Sequence, residues 1–420
     1  MIEDLADVPP CVHLLVAEAA NCASRADLRK KIRGLLPDLR VQSEAYLLSA
    51  YAHQVERQNP LKFNIHLHGA LDVLGGDGCQ NIKCRLAAAQ RLARSVGLIA
   101  DTVWITDFLS EKFVHFGRST NAKIDRIIED LVVVFELLPL IRAGIIRFRS
   151  PPVRTCFDCA KKFNSHLVVT RDALYQQFRS DFKIREFDNK EFAVDLGHCI
   201  TPTLIFRGSF DAALPTKAEF ARRWIEDEIQ SISWVAREAS ICQGAIFSNS
   251  RVGLASLAFS EGRSPDRRTL MTLDEQRSFD IPWVSELSAS QIVELRQEAG
   301  RALPSFREVL AKSLSTEMKD SSPLEQIHEL RELAAEARAE LDAKRSSSAR
   351  FWKVTYGLLG LGLSAYGVSS DQLIPGVGGL LPVLQLLIGH KAGFEADMTK
   401  LETRPGYVLV KAQDLLAHSH

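Results

Sequence analysis

The sequence predicts an α/β protein: a mainly parallel sheet with flanking helices, followed by an all-α C-terminal domain that contains an apolar Gly-rich helical hairpin. Three observations carry this expectation. From Phe63 to Phe148, short β-branched or aromatic runs alternate with longer stretches of helical spacing, the βαβ pattern of a parallel sheet. After Pro282 the strand-like runs stop and apolar residues recur at three- and four-residue steps. Charge then disappears altogether from 354–368.

Residues 11–56 have helical spacing, with Leu28, Ile32, Leu35 and Leu36 on one stripe. FNIHLHG, starting at Phe63, reads as a strand and is followed by Gly-rich 75–78. The next helix is expected over 81–96, with Leu86, Ala89, Leu92 and Ala93 as its stripe and Gly97 closing it. TVWIT at 102–106 is the second strand, a helix over 121–143 ends at Gly144, and IIRF at 145–148 is the third strand. LVV at 167–169, VDL at 194–196 and TLIF at 203–206 suggest further strands. A charged amphipathic helix from Thr216 to Ala239 places Phe220, Trp224, Ile225, Ile229 and Ile232 on its apolar side, and GAIFSN at 244–249 leaves it as a strand. The expected division is 1–59 as N-terminal helices packed on the α/β domain, 60–283 as that domain, 284–350 as a helical domain, and 351–420 as the apolar hairpin with a C-terminal helix.

In the helical domain, Ser288-Ala-Ser-Gln291 has capping-box form ahead of the stripe Ile292, Leu295, Ala299, Leu303, Phe306, Leu310 and Leu314, which Pro304 is expected to kink. Ser322-Pro-Leu-Glu325 opens a second helix over 323–345, with Ile327, Leu330, Leu333, Ala334 and Leu341 as a bundle or dimer contact. A small hinge, Lys344–Arg350, precedes the apolar runs 354–368 and 373–388. Each run is shorter than the ~18–20 residues that cross a bilayer. Arg350, Lys353 and Lys391 flank the pair, so the expectation divides between buried core helices and a hairpin touching a membrane from the cytoplasmic side. The segment IPWVSELSASQIVELRQEAGRALPSFREVL resembles a helical module of uncharacterised bacterial proteins, a resemblance that implies no chemistry.

Composition excludes several classes. The chain has 420 residues, 46% hydrophobic and 25% charged, which supports a large core and argues against disorder. Its 52 basic residues balance 52 acidic ones, so no dedicated nucleic-acid binding is expected. The eight cysteines are too sparse for a disulfide scaffold, and the acidic start Met1-Ile-Glu-Asp has no positive n-region of a secretory signal. The expectation is therefore a cytoplasmic protein with reduced thiols, peripheral to the inner membrane if the hairpin engages it.

The candidate site is collective. Ligands of open parallel sheets bind beyond the carboxyl ends of the strands. Those ends carry His66, His68, Asp107, Arg147, Arg149, Asn249 and Arg251, which mix bases with guanidinium forks suited to a small anionic or nucleotide-like ligand. The HxH of His66 and His68, with Asp72 and Asp77 close behind, also resembles the first-strand motif of the amidohydrolase superfamily. That resemblance implies a metal and further histidines after later strands, whereas His166 and His198 precede strands and His115 lies in a loop. Cys156 and Cys159 have the spacing of half a zinc knuckle, with His166, His198 and Cys199 as the nearest completing ligands. Gly75-Gly-Asp-Gly78 matches no phosphate-loop signature, and no GxSxG elbow occurs.

With no complete catalytic motif, the leading expectation is a bacterial-type interaction or regulatory protein that is not an enzyme. Its α/β domain would sense a ligand or partner, coupled to a helical domain that self-associates, binds a protein or contacts a membrane. The alternatives are a metal-dependent hydrolase or nucleotide-processing enzyme using His66 and His68, with zinc as the candidate metal, and a membrane-perturbing effector acting through 354–388.

Overall fold

The computed structural model describes residues 8–56, 64–69, 73–74, 81–94, 96–117, 120–149, 157–187, 191–195, 205–210, 216–241, 245–248, 250–260, 283–306, 331–343 and 400–418. The chain forms two compact units, the first comprising 1–279 and 288–293, the second 280–287 and 294–420.

The first unit is α/β. Helices α1 (Pro10–Ala20) and α2 (Arg25–Glu56) precede strand β1 (Asn64–His68). Then come α3 (Ile82–Arg94), α4 (Val96–Ile99), β2 (Thr102–Thr106), α5 (Phe108–Val114), α6 (Asn121–Arg142) and β3 (Ile146–Arg149). The second half contains α7 (Phe157–Phe178), β4 (Lys183–Glu186), β5 (Glu191–Asp195), β6 (Ile205–Ser209), α8 (Lys217–Ile241), β7 (Ala245–Ser248) and α9 (Arg251–Ser260).

Strands β1, β2, β3 and β7 form a parallel sheet in the order β3-β2-β1-β7. One face follows the rule for buried parallel strands: Ile65, Leu67, Val103, Ile105, Ile146 and Phe148 are all apolar and buried. The N-terminal helices are anchored on α6 by a two-pronged ion pair, Arg29 Nε and Nη2 donating to Asp125 Oδ1 and Oδ2 at 2.6 and 2.8 Å. Inside α6, the buried Asp130 accepts from Arg85 of α3 at 2.6 Å and from Lys112 of α5 at 2.7 Å, so one carboxylate ties three helices together.

The mainly parallel expectation needs a correction. Strands β4, β5 and β6 form a separate antiparallel sheet. It is held by an aromatic group in which the Phe192 ring lies 4.6 Å from Phe210 and 4.5 Å from Phe220. Leu174, Phe178, Ile225 and Ile229 extend that core. Residues 167–169 are also helical rather than extended. Leu167, Thr170, Leu174 and Phe178 form the buried stripe of α7, while Val168 and Val169 are exposed, so helical spacing overrides the local β preference. Of the helix expected over 81–96 the described residues form α3 (Ile82–Arg94), and Gly97, expected to close it, sits inside α4. A Cβ there would stand 3.3 Å from Leu140 Cδ1, so the glycine serves helix packing. Gly144 does end α6, with φ +69°.

Helix α10 (Ala289–Glu298) begins with the expected capping box: Gln291 N–H donates to Ser288 Oγ at 3.3 Å and Gln291 Oε1 accepts from Ser288 N–H at 2.9 Å. Pro304 does not kink it. The helix ends at Glu298, the chain turns through 299–302, and Pro304 lies in the helical turn that restarts at 303, where its missing N–H is harmless. The second unit contains helix 331–343 and α11 (Gly406–His418). Arg338 donates to Asp414 Oδ1 at 2.7 Å, and Arg404 pairs with Glu340. No described helix is long and apolar enough to cross a membrane. The runs 354–368 and 373–388, the hinge 344–350 and the capping box at 322–325 lie outside the described residues.

Candidate functional site

Side chains of residues paired across a sheet share a face. Register therefore puts His66 of β1, Trp104 of β2, Arg147 of β3 and Ile246 of β7 in one row, and His68, Thr106, Arg149 and Ser248 in the next row toward the carboxyl ends. This second face is largely polar, although His66, His68, Trp104, Thr106, Arg149 and Ser248 on it are buried. The contrast with the apolar opposite face marks it as the side that carries chemistry.

Topology places it at a special point. From β1 the chain builds outward through β2 and β3, then returns to lay β7 on the other side of β1. Strand order reverses between β1 and β7, and open α/β sheets bind ligands beyond the carboxyl ends of the strands at such a reversal. His68 and Ser248 are the last residues of those two strands, and His68 Nδ1 lies 2.8 Å from Ser248 Oγ.

His68 is enclosed from the helical side as well. Its Nε2 lies 3.1 Å from Ser231 Oγ and 3.6 Å from Glu228 Oε1, both on α8. Burial first, and the charge of Arg149 second, lower the His68 pKa to about 3. The ring is neutral near pH 7, so its contact with Glu228 is polar and not an ion pair. A neutral imidazole has one donor and one acceptor, and both nitrogens already face hydroxyls. A metal bridging His66 and His68 would take one of these contacts from His68. Among the described residues no three His, Cys, Asp or Glu side chains cluster as metal ligands.

Arg149 crosses the end of the sheet. Its Nε and Nη2 donate to Thr106 Oγ1 at 3.0 and 2.8 Å, and Nη2 also reaches the Leu67 carbonyl of β1. Arg149 as a whole is only 4% exposed, and these oxygens are neutral. His66 is 1% exposed and stacks on Trp104, the rings 5.8 Å apart and 13° from parallel. Burial, then Arg149, bring the His66 pKa to about 3.

The other expected residues separate from this group. Asp107 donates its backbone N–H to the Arg149 carbonyl at 2.8 Å, but its carboxylate caps α5 by accepting from Ser110 N–H at 3.0 Å. Burial raises the Asp107 carboxyl to about 6. Cys11 of α1 lies 3.3 Å from Ser110 Oγ, and burial, followed by the nearby Asp107, pushes its thiol up to about 12, so it is an unreactive thiol. Arg147 donates to the Gly144 carbonyl at 3.4 Å, at the entrance of β3 and not its exit. Arg251 is the first residue of α9. Asn249, Cys156, His198, Cys199 and Gly75–Gly78 lie outside the described residues, as do the side chains of Cys159 and His166, both of which fall within helix α7.

Sequence reasoning missed Thr106, Glu228, Ser231 and Ser248. Glu228 had a readable signal, since it sits three residues after Ile225 and four before Ile232, inside the apolar stripe of α8. Ser248 and Thr106 become visible only through the cross-strand register. No protein-family model, curated protein or solved structure matches this chain.

Proposed function

We propose that the α/β unit is a sensing module that binds a small anionic, nucleotide-like ligand at the carboxyl ends of β1, β2, β3 and β7. The helical C-terminal region would pass ligand occupancy to a protein partner, a second copy of the chain or, through 354–388, a membrane surface. The observation that carries the reading is the polar row at the strand-order reversal: His68 against Ser248, with the Arg149 guanidinium spanning from Thr106 to β1. The buried Arg149 guanidinium, held in place by Thr106 and the Leu67 carbonyl, supplies a fixed positive charge for phosphate or carboxylate oxygens, and two neutral histidines beside it add no competing charge.

Thermal unfolding of the full chain with pyrophosphate, ADP and NAD tests the site. Ligand at 100 times its Kd stabilises the native state by about 2.7 kcal/mol, a shift of several degrees. Arg149→Met is expected to abolish that shift for every anionic probe. Absence of any shift with the wild-type chain at millimolar probe would end the anion-site reading.

A further inference from the structure

The inner row of the polar face holds three buried polar atoms, two on His66 and one on Trp104. His66 Nδ1, His66 Nε2 and Trp104 Nε1 are buried without a hydrogen-bond partner among the described residues. Both side chains are more than nine-tenths buried. Leaving a buried donor or acceptor unpaired costs about 1–3 kcal/mol. Three such atoms side by side at the centre of a sheet are therefore a standing demand for a polar occupant.

The chemistry of the demand is defined. A neutral imidazole presents one N–H donor and one acceptor nitrogen, and the indole adds a second N–H donor. His66 and Trp104 occupy paired positions on adjacent parallel strands, and their nearly parallel rings stack on one another with centroids 5.8 Å apart, so a ligand would meet their edges and not a gap between them. A flat group carrying acceptor and donor atoms along its edge matches the hydrogen-bond pattern of those ring edges. An aliphatic group would leave the nitrogens unpaired. One row further along the same face stands Arg149, so a molecule with a flat heterocycle joined to an anionic group would engage both rows.

We propose that His66 and Trp104 form the recognition strip for a planar heteroaromatic group, such as a nucleobase, of the ligand whose anionic part meets Arg149. This rests on the anion-site reading in its second half only, because the strip is defined by its own unpaired atoms.

Titration calorimetry of the full chain with pyrophosphate, adenosine and ADP separates the two. ADP is expected to bind at least tenfold tighter than pyrophosphate. In His66→Phe and in Trp104→Phe that advantage is expected to vanish while pyrophosphate affinity stays within twofold of wild type. Arg149→Met should weaken pyrophosphate and ADP but leave adenosine unchanged. Pyrophosphate binding with no gain for ADP or adenosine would overturn the strip and leave the anion site standing. Adenosine binding without pyrophosphate binding would do the reverse. If no probe binds, both fail. If His66→Phe and Trp104→Phe each lower the unfolding temperature of the ligand-free chain and retain the ADP advantage, the three atoms serve a structural water and the strip is overturned.

Discussion

Asp107 and the two strand histidines pull stability in opposite directions as pH changes. His66 and His68 are held near 3 in the folded chain against an ordinary 6.5, so between those values the native state binds fewer protons than the unfolded chain. Their contribution is present above pH 6.5 and is lost as pH falls through that window. Asp107 is raised to about 6 from 3.8, so the native state binds the extra proton there and its contribution is lost as pH rises from 3.8 to 6. Two histidines outweigh one aspartate by about one proton, a slope of ~1.4 kcal/mol per pH unit toward greater stability as pH increases. Urea unfolding at steps from pH 4.5 to 6, inside the window these values define, measures it. Asp107→Asn, which keeps a good helix cap, is expected to steepen the slope to nearly two protons. A slope unchanged in that variant would refute the burial-driven shift of Asp107. The histidines themselves were legible from the HxH spacing, but their neutrality was not, because it arises from burial under α8 and from an arginine 81 residues away from His68 in the chain.

At the level of elements, α8 and α9 approach each other closely at Gly253. A Cβ on Gly253 would fall 2.8 Å from Ile232 Cδ1, 3.1 Å from Ser250 Oγ and 3.3 Å from Glu228 Oε1. Ser250 Oγ accepts the Gly253 N–H at 2.9 Å, so the cap of α9 is fixed by the same contact. Gly253→Ala is therefore expected to destabilise the chain by about 1–3 kcal/mol, the range for overpacking a core, and chemical denaturation checks this. Because Glu228 and Ser231 face His68 from α8, the same variant is expected to weaken pyrophosphate binding; a destabilised variant with wild-type affinity would show that α8 does not position the site. Elements whose signals are local were readable in advance. The Ser288–Gln291 capping box, Gly144 and the alternation of strand and helix through β3 all declare themselves within a few residues. The antiparallel sheet β4-β5-β6 did not, since β4 (Lys183–Glu186) carries two lysine or arginine residues and a glutamate in four positions and gains its strand state from pairing with β5. Helix α7 was obscured in the opposite way, by β-branched Val168 and Val169 on its exposed side.

For the whole molecule, the functional proposal requires more than a ligand site: occupancy has to change something in the second unit. Coupling of this kind is a free energy and acts in both directions. Hydrogen exchange read by mass spectrometry, with and without pyrophosphate, reports each unit separately. Protection is expected to rise at the carboxyl ends of β1, β3 and β7 and in α8 as a direct effect of binding. The regulatory half of the proposal predicts a second change, in helix 331–343 and in α11. Gly406→Ala supplies the reciprocal arm, because a Cβ at residue 406 would collide with the Leu333 carbonyl and loosen those two helices from each other. If the units are coupled, this variant alters pyrophosphate affinity although it lies in the helical unit. Protection confined to the α/β unit, together with unchanged affinity in Gly406→Ala, would reduce the protein to a ligand-binding module with an energetically independent C-terminal region. Linkage ties the two arms together: a substitution that shifts the helical unit differently in the ligand-free and ligand-bound states changes the ligand's affinity by the same free energy, so agreement between them carries more weight than either measurement alone.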